Sequence, residues 1–251
     1  MALLEAVGVS KRFGGIVALD HVSLEVGRGE AVGLVGPNGA GKTTLFDCVN
    51  GVRRSDSGSV SFDGRRIDSL AIHERARLGI GRTFQRVELF GGMSVRDHLL
   101  VAERVHRGDG RLWKDLVGRG RANAAVDRVE ELLAELGLEE EAAAPVESLS
   151  LGRGRLVELG RALVQDPRLL LLDEPSSGLD SHETAEVASV LLRLREGRRT
   201  ALLLVEHDLD LVRTVTERAY VLDFGKLIAS GPVDDVLANA AVRRAYLGDI
   251  A

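Results

Sequence analysis

The sequence contains one cysteine, Cys48, among its 251 residues. A single cysteine cannot form a disulfide within the chain, which excludes a disulfide-stabilised scaffold. The shortage of cysteine suits a reducing, cytosolic setting. Cys48 lies in a segment predicted to be helical, where we expect the thiol to be buried rather than reactive.

Long apolar runs and an excess of positive charge are also missing. No apolar run approaches the roughly 18 residues that a membrane span needs, and the chain does not open on a signal-peptide pattern. Lys and Arg number 33 against 38 Asp and Glu, so the net charge is −5. This balance argues against tight, non-specific binding to nucleic acid. We expect a soluble protein, with one large α/β domain and an appended subdomain, whose role at any membrane is peripheral.

The central feature that is present is a glycine-rich segment at residues 29–50. Ala31–Val35 is typical of a buried strand, and Thr44–Asn50 of a helix that Gly51 ends. Between them, Gly36–Thr43 fits the pattern G-x-x-x-x-G-K-[ST] without gaps. A strand, a glycine-rich loop and a helix in this order predict a phosphate-binding loop.

The chemistry of this loop follows from its backbone. Glycines adopt positive φ, so successive N–H groups turn inward around an oxyanion, and the helix N-terminus adds partial positive charge. Lys42 would then reach the β- and γ-phosphates of a nucleotide, and the Thr43 hydroxyl would bind Mg²⁺.

The flanks of this loop predict an antiparallel sheet. Residues 2–9 and the alternating segment 21–26 are strand-like, and a hairpin at 58–67 would extend the sheet. Phe13 is predicted to lie on the loop between the first two strands. It could stack on an adenine ring or fill a core position at a strand end, and spacing does not decide between the two.

The middle of the chain changes to helical periodicity. A helix at 71–78 leads into a strand, 80–85, that ends at Gln85. The Gln85 amide could orient a water or complete Mg²⁺ coordination, although a single glutamine need not have either role. Helices at 95–104 and 125–136 indicate a separate helical subdomain, interrupted by an exposed excursion at 107–122.

A further helix is predicted from Arg153 to Gln165, with Ser150 as its N-cap. Its free N–H groups could hold an anion, although an ordinary cap explains the serine equally well. Gly154 and Gly160 each cost roughly 1 kcal/mol relative to alanine in a helix. We therefore expect a constraint other than helix stability to require glycine at these two positions.

Two buried strands end in polar residues. Leu169–Asp173 is wholly apolar up to Asp173 and Glu174, which would emerge beside the phosphates because parallel strands share their carboxyl edge. Asp173 suits Mg²⁺, directly or through water, and Glu174 suits a general base. Strand 200–205 leads to His207. Its imidazole either donates a hydrogen bond to a γ-phosphate or has a structural role. Asp180 and Glu183 resemble a capping box that opens the helix ending near residue 196, and the tail predicts a strand pair near 219–229.

In this order, the motifs resemble the nucleotide-binding subunit of ATP-binding cassette (ABC) transporters. Phe13 matches that family's adenine-stacking aromatic, Gln85 its Q-loop, and His207 its H-loop. The nucleotide-binding positions that the resemblance implies are Phe13, Gly36, Pro37, Asn38, Gly39, Ala40, Gly41, Lys42, Thr43, Thr44, Ser150, Gly152 and Asp180. The implied catalytic positions are Lys42, Gln85, Glu174 and His207, and those for the metal are Thr43, Gln85 and Asp173.

The resemblance implies an α/β fold of the P-loop NTPase (RecA-like) class. Residues 1–85 and 155–232 would form the parallel-sheet core with an N-terminal antiparallel β subdomain, 86–154 the helical subdomain, and 233–251 a C-terminal helical extension. Two subunits, identical or different, would face head to tail with two Mg-ATP between them. The helical subdomain would dock on transmembrane permease subunits at the cytoplasmic face, without nucleic acid.

A narrower resemblance is to the larger ATPase subunit of branched-chain amino-acid uptake systems. It rests on Arg82–Gln85, the excursion, and the ending Ala245–Gly248. Such importers also depend, indirectly, on a periplasmic or extracellular solute-binding protein. Urea, amide and lipopolysaccharide systems are the alternatives. Here Leu151 and Arg153 depart from the usual signature, and we expect Arg153, a cation near the triphosphate, to weaken ATPase activity.

Two other classes remain as rivals. A soluble cassette ATPase acting on ribosomes or DNA usually has tandem cassettes or a long coiled coil, which this acidic chain does not show. A catalytically silent binding module would not need both Glu174 and His207, although the altered signature is compatible with it.

Overall fold

The computed structural model describes residues 2–83, 88–106, 119–198 and 200–247. Gln85 and most of the predicted excursion lie outside these residues. The strands are β1 (Ala2–Phe13), β2 (Ile16–Gly27), β3 (Ala31–Val35), β4 (Ser57–Phe62), β5 (Arg65–Arg66), β6 (Ile80–Arg82), β7 (Leu169–Asp173), β8 (Ala201–Val205), β9 (Arg218–Asp223) and β10 (Lys226–Pro232). The helices are α1 (Lys42–Asn50), α2 (Ile72–Arg77), α3 (Val95–His106), α4 (Arg119–Leu136), α5 (Leu151–Leu163), α6 (Ser181–Arg198), α7 (Leu209–Val215), α8 (Val233–Ala238) and α9 (Ala240–Leu247), with a 3₁₀ turn at Val146–Ser148.

The predicted antiparallel sheet is present, in the order β2-β1-β4-β5. Val22, Leu24 and Val26 alternate into the core, as their pattern indicates. The loop position predicted for Phe13 is wrong. β1 continues to Phe13, which pairs with Ile16 across a two-residue glycine turn, because the left-handed Gly14 (φ 56°) lets the chain reverse without a longer loop.

The second sheet has the order β10-β9-β3-β8-β7-β6, and only β10 is antiparallel to its neighbour. Every residue of β3, β7 and β8 is buried, as expected for strands covered on both faces. β8 lies between β3 and β7, so the carboxyl ends of all three meet at one edge. The convergence predicted from the apolar strands is therefore confirmed.

Helices α3, α4 and α5 pack together on one side of the parallel sheet and share its hydrophobic core. Gly160 lies where they meet: a Cβ there would lie 2.8 Å from side-chain carbons of both Leu99 and Leu136. Close helix packing is thus the reason for this glycine. The subdomain limits at 86 and 154 stay predictions, and α5 runs through 154 without interruption.

The predicted start of α5 at Arg153 is two residues late. Ser150 caps the helix, as predicted, by accepting a hydrogen bond from the Arg153 N–H at 3.3 Å. An N-cap serine bonds the third helical residue, so the helix begins directly after it, at Leu151. No helix in the described part of the chain is both long and apolar enough to cross a bilayer.

Candidate nucleotide site

The phosphate loop connects β3 to α1 and folds as its glycines predict. Gly39 and Gly41 have φ of 80° and 104°, and a Cβ on Gly41 would lie 2.5 Å from the Ala18 carbonyl oxygen. Only glycine fits there. The Lys42 ammonium donates to the Gly36 carbonyl at 2.6 Å and to the Pro37 carbonyl at 3.1 Å. The loop therefore holds its cation at its own centre, where a phosphate would need it.

The buried Lys42 charge is balanced by nearby carboxylates. Burial lowers the pKa of the Lys42 ammonium, and Glu174, Asp173 and Glu206 oppose that shift. These three carboxylates come from the ends of β7 and β8. The site thus places one buried cation against acidic groups delivered by two neighbouring strands.

Asp173 is the last residue of β7 and is almost fully buried. Burial raises the pKa of its carboxyl, and the Arg82 guanidinium, 3.5 Å away, lowers it in part. Arg82 also lies 3.6 Å from Asp47 and over the ring of Phe46. The end of β6 thus supplies the counter-charge for the carboxylate predicted to hold Mg²⁺.

Glu174 has an unusual backbone. Its φ is 48°, a left-handed conformation that non-glycine residues seldom adopt, and its N–H donates to the Val205 carbonyl at 2.8 Å. Strained residues of this kind concentrate at functional sites. Glu174 borders a cavity of about 310 Å³ whose other lining residues are Ile16, Val17, Ala18, Asn38, Gly39, Ala40, Gly41, Lys42, Thr43, Thr44 and Phe224.

Glu206 is a residue of the site that the sequence analysis did not single out. It is fully buried, and its carboxylate accepts hydrogen bonds from the Ser176 N–H (2.9 Å) and hydroxyl (2.6 Å) and from the N–H groups of His207 (2.9 Å) and Asp208 (3.3 Å). It ties the loop after β7 to the loop after β8. The available signal was a carboxylate that directly continues a buried apolar strand, since a buried charge requires several donors.

His207 lies at the predicted sheet edge, but its imidazole is 56% exposed and Nδ1 is 3.6 Å from the Glu206 carboxylate. Its main chain is fixed by Glu206 and its side chain faces solvent. The structure therefore places the backbone of His207 beside the site and leaves the ring accessible.

The α5 N-terminus is bound within the chain. The Gly152 N–H donates to the Glu183 carboxylate at 3.0 Å, and the pKa of that carboxyl is lowered first by this bond and next by Ser150. Glu183 and Asp180 also cap α6 reciprocally, which confirms the capping box. Arg153 pairs with Glu141, with Nε 2.7 Å from the carboxylate.

Two aromatic residues lie near the site, and only one of them lines the phosphate-loop cavity. The ring of Phe13 lies against the cations of Lys11 and Arg53, at 5.8 and 5.2 Å, and not along the phosphate-loop cavity. Phe224 lines that cavity instead. It is 86% exposed, has a φ of 42°, and precedes Gly225, whose N–H donates to the Ala40 carbonyl at 2.9 Å.

Comparison with known proteins identifies the group to which these features belong. Residues 19–177 match the ABC transporter family model. The chain belongs to the ABC transporter family. Residues 226–251 also match the model of branched-chain amino acid ATP-binding cassette transporters. The chain is therefore the ATP-binding, ATP-hydrolysing component of a transport system, and the predicted enzyme class is confirmed.

Several curated ABC proteins match along nearly their whole length. The high-affinity branched-chain amino acid transport ATP-binding protein LivG of Salmonella typhimurium is 39% identical over 250 residues, 98% of either chain. BraF of Pseudomonas aeruginosa, described in the same words, is 36% identical with the same coverage. The lipopolysaccharide export system ATP-binding protein LptB of Escherichia coli is 37% identical over 249 residues, 99% of this chain and 98% of LptB.

Solved structures confirm the predicted P-loop NTPase fold. The ADP conformation of an ATP-binding cassette of an ABC transporter superposes with a TM-score of 0.85 and 30% identity, and covers 99% of this chain and 100% of that chain. A nucleotide-free cassette superposes with a TM-score of 0.83 and 29% identity, and also covers 99% of this chain.

The residues of this ABC chain fit Mg²⁺ and ATP. Residues 2–83, 88–106, 119–198 and 200–247 contain no group of three or more His, Cys, Asp or Glu side chains placed to bind a metal by themselves. Thr43 and Asp173 instead offer one hydroxyl and one carboxylate, a donor set typical of Mg²⁺ that shares its remaining ligands with phosphate and water. The cavity of about 310 Å³ along Gly39, Gly41 and Lys42 offers room for a phosphate.

Proposed function

We propose that this chain is the ATPase subunit of an importer for branched-chain amino acids, and that it works at the cytoplasmic face of the membrane with permease subunits. The match of residues 226–251 to the branched-chain amino acid transporter model supports the solute class. The near-full-length similarity to LivG and BraF supports it as well. Lipopolysaccharide export is a second candidate because LptB is 37% identical.

The observation that carries the hydrolytic role is the position of Glu174. Glu174, whose backbone is strained, lines the same cavity as Lys42 and the phosphate loop. In the proposed mechanism the Glu174 carboxylate orients and deprotonates the attacking water, and Lys42 and the loop N–H groups stabilise charge on the phosphates. Mg²⁺, held by Thr43 and Asp173, with Gln85 as a further ligand, would neutralise phosphate charge.

His207 and the α5 N-terminus have complementary roles in this proposal. The exposed His207 imidazole would donate to the γ-phosphate once ATP is bound. Ser150 and Gly152 would contact the ATP held by a second ATPase subunit, with Asp180 at the junction. Since the Gly152 N–H already donates to the Glu183 carboxylate, the γ-phosphate must displace this carboxylate or share the N–H with it when the two subunits close. Phe13 remains our proposed adenine contact, with Phe224 at the mouth of the cavity.

A groove next to α3 is the proposed docking site for a cytoplasmic helix of the permease. It has a volume of about 490 Å³ and is bordered by exposed apolar side chains of Ile72, Phe90, Val101 and Val105. Arg82 lies in its wall and also contacts Asp173 at 3.5 Å. The Arg82 side chain would therefore connect a helix seated there to the Asp173 carboxylate, which is our proposed metal ligand.

The solute is tested with the whole transporter. The chain is purified with its permease subunits, reconstituted in proteoliposomes with the matching binding protein, and assayed for ATP hydrolysis with leucine, valine, urea or lipopolysaccharide. We expect leucine or valine to stimulate hydrolysis. Stimulation by lipopolysaccharide alone would overturn the importer and support the second candidate. Val101→Asp should abolish co-purification with the permease, whereas Val126→Asp, an exposed valine on α4, should not.

A further inference from the structure

The C-terminal helix α9 contacts the phosphate loop through one side chain. The Tyr246 hydroxyl accepts a hydrogen bond from the Gly36 N–H at 2.7 Å, across 210 residues of sequence. Val242, one turn earlier on the same face of α9, is buried in the hydrophobic core. The helix is therefore anchored, and its tyrosine reaches the loop from a fixed position.

Gly36 is held from both sides. Its N–H is bound by Tyr246, and its carbonyl accepts the Lys42 ammonium at 2.6 Å. Gly36 is itself buried, and a Cβ there would lie 2.2 Å from the Leu222 carbonyl oxygen. One residue, Gly36, thus joins the C-terminal helix to the cation of the phosphate loop.

We propose that Tyr246 is a positioning residue of the phosphate loop, through which the C-terminal helix sets the affinity of this ATPase for its nucleotide. A buried N–H without an acceptor is costly, so loss of the hydroxyl favours loop conformations in which Gly36 turns toward water. Lys42 turns with it because it is bound to the same residue. Nucleotide then binds only to the remaining fraction of well-formed loops, which lowers the apparent affinity.

The chain provides a matched control. Tyr220 on β9 also accepts a hydrogen bond from a backbone N–H, that of Glu25 on β2, at 3.1 Å. Tyr220→Phe therefore removes the same group from the same kind of bond at a site that does not touch the phosphate loop. Both variants keep the aromatic ring and its packing.

The test measures Mg-ATP and Mg-ADP affinity of the full chain by titration calorimetry, with melting temperatures recorded alongside. We expect Tyr246→Phe to bind both nucleotides about tenfold more weakly, and Tyr220→Phe to bind them as the wild type does. At saturating ATP the turnover of Tyr246→Phe should stay within about twofold of wild type, since Tyr246 contacts no reacting group. Equal affinities in all three proteins would overturn the proposal, even if both variants melt earlier.

A second measurement does not depend on the variant folding. Hydrogen exchange of the Gly36 amide in the wild-type chain should be slow, and it should be as slow as that of the α9 amides. Exchange at the rate of an unstructured amide would also overturn the proposal. Since this readout needs no nucleotide, it separates a failure of the Tyr246 bond from a failure of ATP binding.

Discussion

Replacement of Glu206 by glutamine should separate the loops after β7 and β8. Oε1 of Glu206 accepts hydrogen bonds from the Ser176 N–H and hydroxyl. Oε2 accepts hydrogen bonds from the N–H groups of His207 and Asp208. Glutamine keeps one oxygen and puts an NH₂ group, which cannot accept, against the other pair of donors. Two buried donors left unpaired at about 1–3 kcal/mol each give a loss of about 2–6 kcal/mol.

For a chain of this size, at about 2–4 °C per kcal/mol, that loss corresponds to a melting temperature lower by about 4–24 °C. The assay is thermal unfolding of Glu206→Gln beside Glu140→Gln, an exposed glutamate on the loop after α4 that makes the same change in charge. ATP turnover should also fall, since the His207 backbone loses its anchor. If the two variants melt within about 2 °C of each other, Glu206 does not hold the two loops together.

Three further predictions concern individual side chains. Asp173→Asn should nearly abolish ATP turnover without lowering stability, because burial raises the pKa of this carboxyl. A carboxyl with a raised pKa destabilises the folded state once the pH rises above the ordinary value of about 4, so the variant's melting temperature should gain on that of the wild type as the pH rises above about 4. Burial raises the pKa of the Cys48 thiol to about 11. Iodoacetamide at about pH 8 should therefore alkylate Cys48 over a hundredfold more slowly in native than in urea-unfolded protein. Equal rates would disprove the burial of the thiol. Arg153→Gln should raise ATP turnover only a few-fold, because Glu141 already pairs with the cation. Glu141→Gln, which leaves the cation unpaired by Glu141, should lower turnover. Unchanged turnover in both variants would show that Arg153 does not affect hydrolysis.

The sheet edge could be predicted because its signals are local. Three five-residue strands without polar interruption must be buried on both faces, and parallel strands place whatever follows them at a common edge. Asp173 ends such a strand, and Glu174 and the phosphate loop each follow one directly. Their convergence therefore needed no knowledge of distant contacts.

The contacts that fix the site were not predictable in the same way. Glu206 and Ser176 are 30 residues apart, Gly36 and Tyr246 are 210 apart, and no periodicity connects either pair. Arg153 looked like a free cation because its partner, Glu141, lies 12 residues earlier, in the turn region after α4. Phe13 was misplaced because two glycines close the hairpin more tightly than the loop we expected.

The most direct test of the central claim is phosphate release from Mg-ATP by the wild-type chain and by Glu174→Gln, with the oligomeric state recorded by light scattering. If Glu174 is the base of a site shared by two subunits, the wild type hydrolyses ATP, and the variant does not but accumulates as an ATP-bound dimer. A variant that turns over at the wild-type rate would contradict the assignment of Glu174. An inactive variant that stays monomeric with ATP while wild type dimerises would contradict the shared site.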